Sequence, residues 1–300
     1  MKVYMTTLIF SFLLLFCAAA DVYTDVEPIP VFVSIQPQSY FVERIGGHRV
    51  SVDVMVKPGH NPAAYEPTPK QIASLAQAKI YFRIGVPFEH VWMHRISQVN
   101  PKMKIVDTRQ NVPLRAMESR HHHDEADAHK HPEDNIPDTF KDPHIWLDPQ
   151  LVKIQAQTIC DALSEIDPAH RSDYQANLKK FHENLDQLDR EIREILKHLR
   201  IRRFLVFHPS WGYFADAYDL NQIPIEIEGK EPTARQLAEF LELAKQEKIK
   251  TIFIQPQFDK NIAGVIAEAI GGTVMTLDPL AKDYLNNMKE SAKRMQEAMR

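Results

Sequence analysis

Short runs of β-branched and aromatic residues alternate with amphipathic helical patterns along most of this chain. Segments such as "TPKQIASLAQA" and "TARQLAEFLELAKQ", with apolar residues three and four apart, separate the apolar runs. Regular strand-helix alternation favours parallel sheets, so the pattern predicts an α/β protein with mostly parallel sheets in two lobes. The predicted strands are 30–35, 49–56, 79–84, 104–107, 202–208, 223–227, 250–254 and 272–277.

One helical pattern is unusually long and lies between the two groups of strands. From Asp167 to Arg200, apolar residues recur at gaps of three and four, which predicts a linking helix on the order of 48 Å long. Asp167 can cap this helix and Pro168 suits its first position. A coiled-coil dimer seam is the alternative, but a strut packed along both lobes is favoured because the chain already offers two sheets to pack against. The apolar positions are Tyr174, Leu178, Phe181, Leu185, Leu188, Ile192, Ile195 and Leu199.

The N-terminus indicates export. A charged start, an apolar run over 8–16 and small residues before Asp21 are typical of a cleaved secretory signal. A membrane anchor is the alternative, but the run is shorter than the ~20 residues of a bilayer span. Phe16 is too bulky for the residue preceding a lipidated Cys17, so we expect a periplasmic protein without a lipid anchor. The predicted division is 1–20 signal peptide, 21–166 N-terminal lobe, 167–200 linking helix and 201–300 C-terminal lobe.

Composition narrows the class of ligand. The hydrophobic fraction of 44% and charged fraction of 25% are typical of a folded globular protein. A net charge of −4 with interspersed signs offers no basic field for nucleic acid. After removal of the signal, Cys160 is the single cysteine, which predicts a buried small hydrophobe and no thiolate cluster. Any metal ligands must therefore be histidine and carboxylate.

A histidine-rich loop over about 117–138 contains the stretch "SRHHHDEADAHKHPED". It lacks apolar periodicity and is long for a loop of a compact domain, which indicates a functional or disordered segment. We predict a secondary, low-affinity metal-collecting loop, because nothing fixes the geometry of its ligands. The alternative is a solvated linker without a role. Its histidines are His121, His122, His123, His129 and His131.

Four other side chains are better placed for a fixed site. His60 and Asp278 each follow a predicted strand and His208 ends one, and ligands of open parallel sheets bind beyond the carboxyl ends of strands. His144 joins them in a constrained Asp-Pro-His turn. Three imidazoles and one carboxylate from two lobes could form a closed tetrahedral zinc shell.

Several motifs resemble those of the metal-binding proteins of zinc and manganese ABC importers, the cluster A-I solute-binding proteins. They are "PGHNPAAYEPTP", "DPHIWLDP", "FHPSWGYFADAY", "GKEPTARQL" and "TLDPLAKDYLNNM", in this order along the mature chain. The resemblance implies two α/β lobes joined by a long backbone helix, with the metal held between them. By position it implies that the ligands are His60, His144, His208 and Asp278. It also implies a membrane permease as partner, and we expect a monomer.

The chain departs from this family at one position. Many members carry a histidine directly after the proline, where this chain has Ala63, and His60 lies three residues earlier. The imidazole of His208 stands where manganese-type members tend to carry a carboxylate, which favours Zn²⁺ as the cargo. A manganese or iron carrier and a zinc-dependent hydrolase remain the alternatives. The hydrolase is disfavoured because Asp278 would close the zinc shell and no HExxH or GxSxG motif is present.

Overall fold

The computed structural model describes residues 27–117, 141–226 and 233–300. The first part of the chain forms a parallel sheet in the order β2-β1-β3-β4, flanked by helices. The sequence begins this lobe with strand, helix, strand, as the alternation predicts. Its strands are β1 Ile29–Val33, β2 Val50–Val54, β3 Ile80–Arg83 and β4 Lys104–Asp107, and its helices are α1 Gln36–Gly46, α2 Pro69–Ser74, α3 Pro87–Val99 and α4 Pro149–Ile166. The long helix α5 Arg171–Leu196 follows and leads to the second lobe.

The last hundred residues form a second parallel sheet with the corresponding order β6-β5-β7-β8. All carboxyl ends of a parallel sheet lie on the same edge, so each lobe presents one such edge for a ligand. The fold-class prediction is therefore confirmed. The elements are β5 Arg203–Val206, α6 Gly212–Ala217, β6 Asn221–Pro224, α7 Ala234–Gln246, β7 Thr251–Ile254, α8 Lys260–Ala269, β8 Thr273–Thr276 and α9 Tyr284–Ala298.

One predicted strand is displaced along the chain. The prediction of 223–227 extends past the end of β6, which begins at Asn221 and ends at Pro224. The reason is its partner: β5 pairs with β6 only from Arg203 to Val206. Glu226 therefore lies beyond the carboxyl end of β6 instead of inside the strand, and this changes what its side chain can contact.

The linking helix exists but begins later than predicted. A 3₁₀ turn over Pro168–His170 precedes α5, whose 26 residues span about 39 Å. Asp167 does not cap the backbone as predicted; its carboxylate accepts hydrogen bonds from the ring of His170 and the hydroxyl of Tyr174 instead. The apolar stripe of α5 is buried within this same chain, so no dimer seam is needed to cover it.

The last helix crosses back to the first lobe. Tyr284, at the start of α9, packs edge-on against Phe41 of α1 with ring centroids 5.0 Å apart. Lys282 pairs with Glu43 at 2.7 Å, and Met288 and Met295 are buried in the same core. The second lobe keeps a smaller core of its own between its sheet, α7 and α8. The larger core thus joins α1, α5 and α9 across the two lobes.

The structure tests the prediction for Cys160 but not the prediction for the N-terminus. Cys160 is buried in α4 with a free thiol, as predicted. The predicted signal peptide, residues 1–20, lies outside the described residues. Within the three described ranges, no helix combines the length and the apolar character needed to cross a bilayer.

Candidate metal centre

His144 is held by a carboxylate two residues before it. The ring follows the Asp-Pro-His turn and precedes a 3₁₀ turn over Ile145–Leu147, after which Asp148 caps α4 by accepting from the backbone of Gln150. The Nδ1 atom of His144 lies 2.7 Å from Oδ1 of Asp142, which also accepts the backbone N–H of His144 at 3.0 Å. Both side chains are buried. The ring orientation is therefore fixed locally, by the spacing in the sequence.

Contacts from both lobes hold Asp142 itself. Its backbone N–H donates to the carbonyl of Arg115 at 3.0 Å, and its carbonyl accepts from the hydroxyl of Tyr213 in α6 at 3.1 Å. That hydroxyl also accepts the backbone N–H of Arg115 at 3.0 Å. The guanidinium of Arg115 lies 3.8 Å from Asp142 and 3.3 Å from Asp216. Asp142 thus lies where the two lobes are bonded together.

His208 follows β5 and is fixed by three side chains of its own lobe. Its Nδ1 atom lies 3.2 Å from Oε2 of Glu226. Gln255, which follows β7, donates to the carbonyl of His208 at 2.7 Å. The ring of Phe258 stacks on that of His208 with centroids 5.4 Å apart and an interplanar angle of 27°. Hydrogen bonds and stacking together set the direction in which this imidazole points.

The two imidazoles meet at the junction of the lobes. Their ring centroids are 5.3 Å apart, with the planes at 70°. Trp146 packs 5.1 Å from His144, and its indole N–H donates to the carbonyl of Pro279 across the lobes at 2.7 Å. The pocket around both rings is otherwise lined by Asn61, Pro62, Ala63, Val86, Pro87, Met117, Pro143, Gln255, Gln257, Phe258 and Leu280.

The environment of His144 favours the neutral ring. Burial lowers its pKa below the ordinary value, whereas the carboxylate of Asp142 acts in the opposite direction and the neighbouring His208 adds to the lowering. A neutral imidazole is the form that coordinates a metal ion. With Nδ1 of each ring facing a carboxylate, Nε2 is the nitrogen left for coordination.

His60 and Asp278 are not in contact with this pair. His60 is exposed, and its ring packs edge-on against Tyr65 at 5.6 Å. Asp278 accepts from the backbone of Leu280 at 2.9 Å and from the amide of Gln257 at 3.3 Å, and lines an adjacent pocket. Within the described residues, no three or more His, Cys, Asp or Glu side chains are close enough together to hold a metal ion. His144 and His208 are thus the predicted ligands that the structure brings together.

The remaining histidines are placed elsewhere. His90 and His94 are exposed on α3, as expected of surface residues, and the ring of His94 bonds to Gln98 of the same helix at 3.0 Å. The histidine-rich loop lies outside the described residues, with the histidines His121, His122, His123, His129 and His131.

Sequence reasoning missed the two carboxylates behind the histidine pair. Asp142 was visible as part of the Asp-Pro-His turn, two residues before a predicted ligand. Glu226 was hidden because the predicted strand 223–227 contained it. With the correct bounds of β6, the sequence would have placed an acid just beyond the carboxyl end of one strand. That position faces the histidine at the end of the neighbouring strand.

Comparisons with known proteins agree with this architecture. The family model described as "ZnuA: Zinc-uptake complex component A periplasmic" matches residues 31–298. A crystal structure of ZnuA is 40% identical, has a TM-score of 0.83, and the match covers 91% of this chain and 100% of that one. A ZnuA deletion mutant with zinc bound is 41% identical, with a TM-score of 0.82 and coverage of 91% and 98%. The high-affinity zinc uptake system protein ZnuA of Yersinia pestis is 28% identical, over 83% of this chain and 82% of that protein.

Proposed function

Because this chain belongs to the zinc-uptake complex component A family, we propose that it captures Zn²⁺ tightly in the periplasm and delivers the ion to the membrane permease of an ABC importer. Zinc is the cargo, and the chain acts as a substrate-binding protein of zinc import. The comparisons favour zinc over the manganese or iron alternative, since the relatives named above are zinc proteins. The chain is also proposed to work as a monomer.

The imidazoles of His144 and His208 are the centre of the proposed site. The observation that supports this most strongly is their approach to 5.3 Å from opposite lobes. Two nitrogen ligands suit Zn²⁺, which prefers nitrogen donors more than Mn²⁺ does. His60 and Asp278 are proposed to complete a four-coordinate shell, which requires both to approach the histidine pair when zinc binds.

Each of these two outer ligands has a local basis for such an approach. His60 is exposed and follows Gly59, whose φ of 79° lies in the left-handed region. Asp278 is separated from the histidine pocket by Gln257 and Leu280, which line both pockets. Exchanging the bond from Gln257 for a bond to the metal would bring the carboxylate into the shell.

The site is proposed to carry zinc and to catalyse no reaction. A hydrolytic zinc keeps an open position for water, whereas Asp278 would occupy the fourth position here. A screen of zinc-loaded protein against ester, peptide and phosphoester substrates tests this point. Turnover that disappears in His208→Ala would support the hydrolase instead.

The histidine-rich loop is proposed to collect zinc weakly beside this site. Its five histidines lie outside the described residues, so the proposal depends on the composition of the loop alone. Multiple weak sites would raise the local concentration of zinc without competing with the tight site.

Equilibrium zinc titration against a competing chelator tests the assignment. We expect His144→Ala and His208→Ala each to weaken zinc binding by more than the about 10–100-fold typical of losing a residue that only supports a ligand. His60→Ala and Asp278→Ala should weaken zinc binding less than the substitutions of His144 and His208 do. His90→Ala, which removes an exposed imidazole from α3, is the matched control and should bind like wild type. Equal binding by all five variants would reject the site.

A further inference from the structure

We propose that Asp142 and Glu226 are positioning residues, each of which holds Nδ1 of one histidine so that Nε2 faces the metal. This inference rests on the proposed function, because it assigns a role to two carboxylates behind the proposed ligands. Each carboxylate belongs to the same lobe as its histidine. Each half of the site is therefore arranged within its own lobe before zinc joins the two.

Burial indicates that these carboxylates have a specific role. The side chain of Asp142 is 0% exposed and that of Glu226 is 7% exposed. An ionised carboxylate is costly to bury unless hydrogen bonds or opposite charge compensate it. Asp142 receives the ring and the backbone N–H of His144, and Glu226 faces the ring of His208. When zinc binds, its double positive charge would lie one imidazole away from each carboxylate.

The chemistry of the imidazole explains what such a carboxylate achieves. A neutral histidine carries one proton, on either Nδ1 or Nε2, and only the unprotonated nitrogen can bind a metal. An acceptor at Nδ1 selects the form protonated there and makes Nε2 a stronger donor to the metal. The same arrangement at both histidines would make the pair ready for zinc without any change of tautomer.

Glu226 gives the cleaner test of the two. Asp142 also accepts the backbone N–H of His144 and lies beside Arg115, so its replacement alters the turn and the contact between the lobes. The carboxylate of Glu226 comes from a different segment than His208 and contacts its ring. Glu226→Gln keeps an oxygen acceptor but removes the charge, and Glu226→Ala removes both.

Another histidine-carboxylate pair of this chain provides a matched control. Asp167 accepts from Nδ1 of His170 at 2.7 Å, but this pair stands at the start of α5 and takes no part in the proposed site. Asp167→Asn therefore removes a comparable charge beside an imidazole. It can change folding stability, but it should leave zinc affinity within about twofold of wild type, as distant sites usually act independently.

Three measurements on the full mature chain test the proposal: zinc affinity by chelator competition, the tautomer of His208 by ¹⁵N NMR of the apo protein, and the visible spectrum of the Co²⁺-loaded protein. We expect Glu226→Ala to bind zinc about 10–100-fold more weakly. Its apo spectrum should show more His208 protonated at Nε2. Glu226→Gln should fall between Glu226→Ala and wild type, and both Co²⁺ spectra should keep the wild-type coordination pattern.

Two results would overturn the positioning role while leaving zinc capture intact. One is unchanged zinc affinity and tautomer in both Glu226 variants, with binding still lost in His208→Ala. The other is a loss in Glu226→Gln as large as in His208→Ala with an altered Co²⁺ spectrum, since Glu226 would then be a ligand itself. By contrast, wild-type protein without a tight zinc site would refute the proposed function. If Glu226→Ala fails to fold, the zinc affinity of Glu226→Gln and the tautomer of His208 in that variant decide between these outcomes.

Discussion

The imidazoles of His144 and His208 lie with ring centroids 5.3 Å apart, although one follows the first sheet and the other the second. Each ring is fixed by neighbours of its own lobe, whereas the distance between the rings depends on how the lobes pack. Hydrogen bonds from Trp146 to Pro279 and from Tyr213 to Asp142, both next to His144, join the lobes. A metal held by both rings would add to this connection.

Introducing a histidine at position 63 should strengthen zinc binding. Ala63 lines the pocket that contains His144 and His208, whereas His60 lies against Tyr65 outside it. In a His60→Ala background, Ala63→His should raise zinc affinity on the order of tenfold, because a nitrogen ligand is added to the shell. Chelator competition measures the change.

The control for this experiment is Ala64→His in the same background. Residue 64 is exposed and does not line the histidine pocket. An equal gain from both substitutions would indicate a nonspecific imidazole effect and would contradict the placement of residue 63 beside the site.

Deleting residues 120–131 should lower the number of zinc ions bound but keep one tight site. The deletion removes the loop histidines His121, His122, His123, His129 and His131 and leaves the histidine pair unchanged. Native mass spectrometry counts the ions, and chelator competition measures the affinity of the remaining site. Disappearance of tight binding in the deletion variant would move the principal site to the loop.

Replacing Phe181 by alanine should destabilise the chain by about 3–5 kcal/mol, the usual cost of removing a large buried aromatic. The ring is fully buried in α5 and packs 5.9 Å from Phe41 and 6.1 Å from Tyr40. Urea unfolding of the apo protein measures the loss, and the exposed Lys180→Ala of the same helix is the control.

Analytical ultracentrifugation of wild type and Phe181→Ala tests the proposal that the chain is a monomer. Because the stripe of α5 is buried inside the chain, wild type should sediment as one chain. A wild-type dimer that dissociates in Phe181→Ala would instead support the coiled-coil seam.

His182 should make the folded protein less stable as the pH falls. Burial is the main reason that its pKa lies below the ordinary value, although its bond to the carbonyl of Lys153 acts the other way. As pH falls through about 6.5, the unfolded chain binds a proton that the folded ring resists, so stability decreases. His182→Gln should lose less stability than wild type between pH 7 and 5 in urea titrations. The exposed His198→Gln is the control, and an identical pH profile for His182→Gln and wild type would contradict this expectation.

Much of the architecture follows from the sequence because parallel strands leave a clear signal. Strands buried on both faces appear as short continuous apolar runs, and amphipathic helices separate them. The sequence indicates His144 and His208 by their positions, one in a turn with proline and one at the end of a predicted strand. The family resemblance then identified the same two residues by a separate route.

The parts that the sequence did not predict depend on contacts between distant segments. The carboxylate of Glu226 meets His208 because β5 and β6 pair over four residues and β6 ends at Pro224. The predicted strand ended three residues too late, which hid the contact. Asp167 follows the pattern of a helix cap, yet Tyr174 and His170 compete successfully for its oxygens. The placement of His60 outside the histidine pocket likewise depends on how its loop packs, which spacing along the chain does not determine.

The return of α9 to the first lobe affects the order in which the chain can fold. Tyr284, Met288 and Met295 complete an apolar core whose members reach back to Val31 in the first strand. While the ribosome is still synthesising the second half, the first half therefore lacks part of its interior and exposes apolar surface to solvent. Shortening the chain before α9 should consequently damage the distant lobe more than the adjacent one, and proteolysis of the first lobe would reveal it.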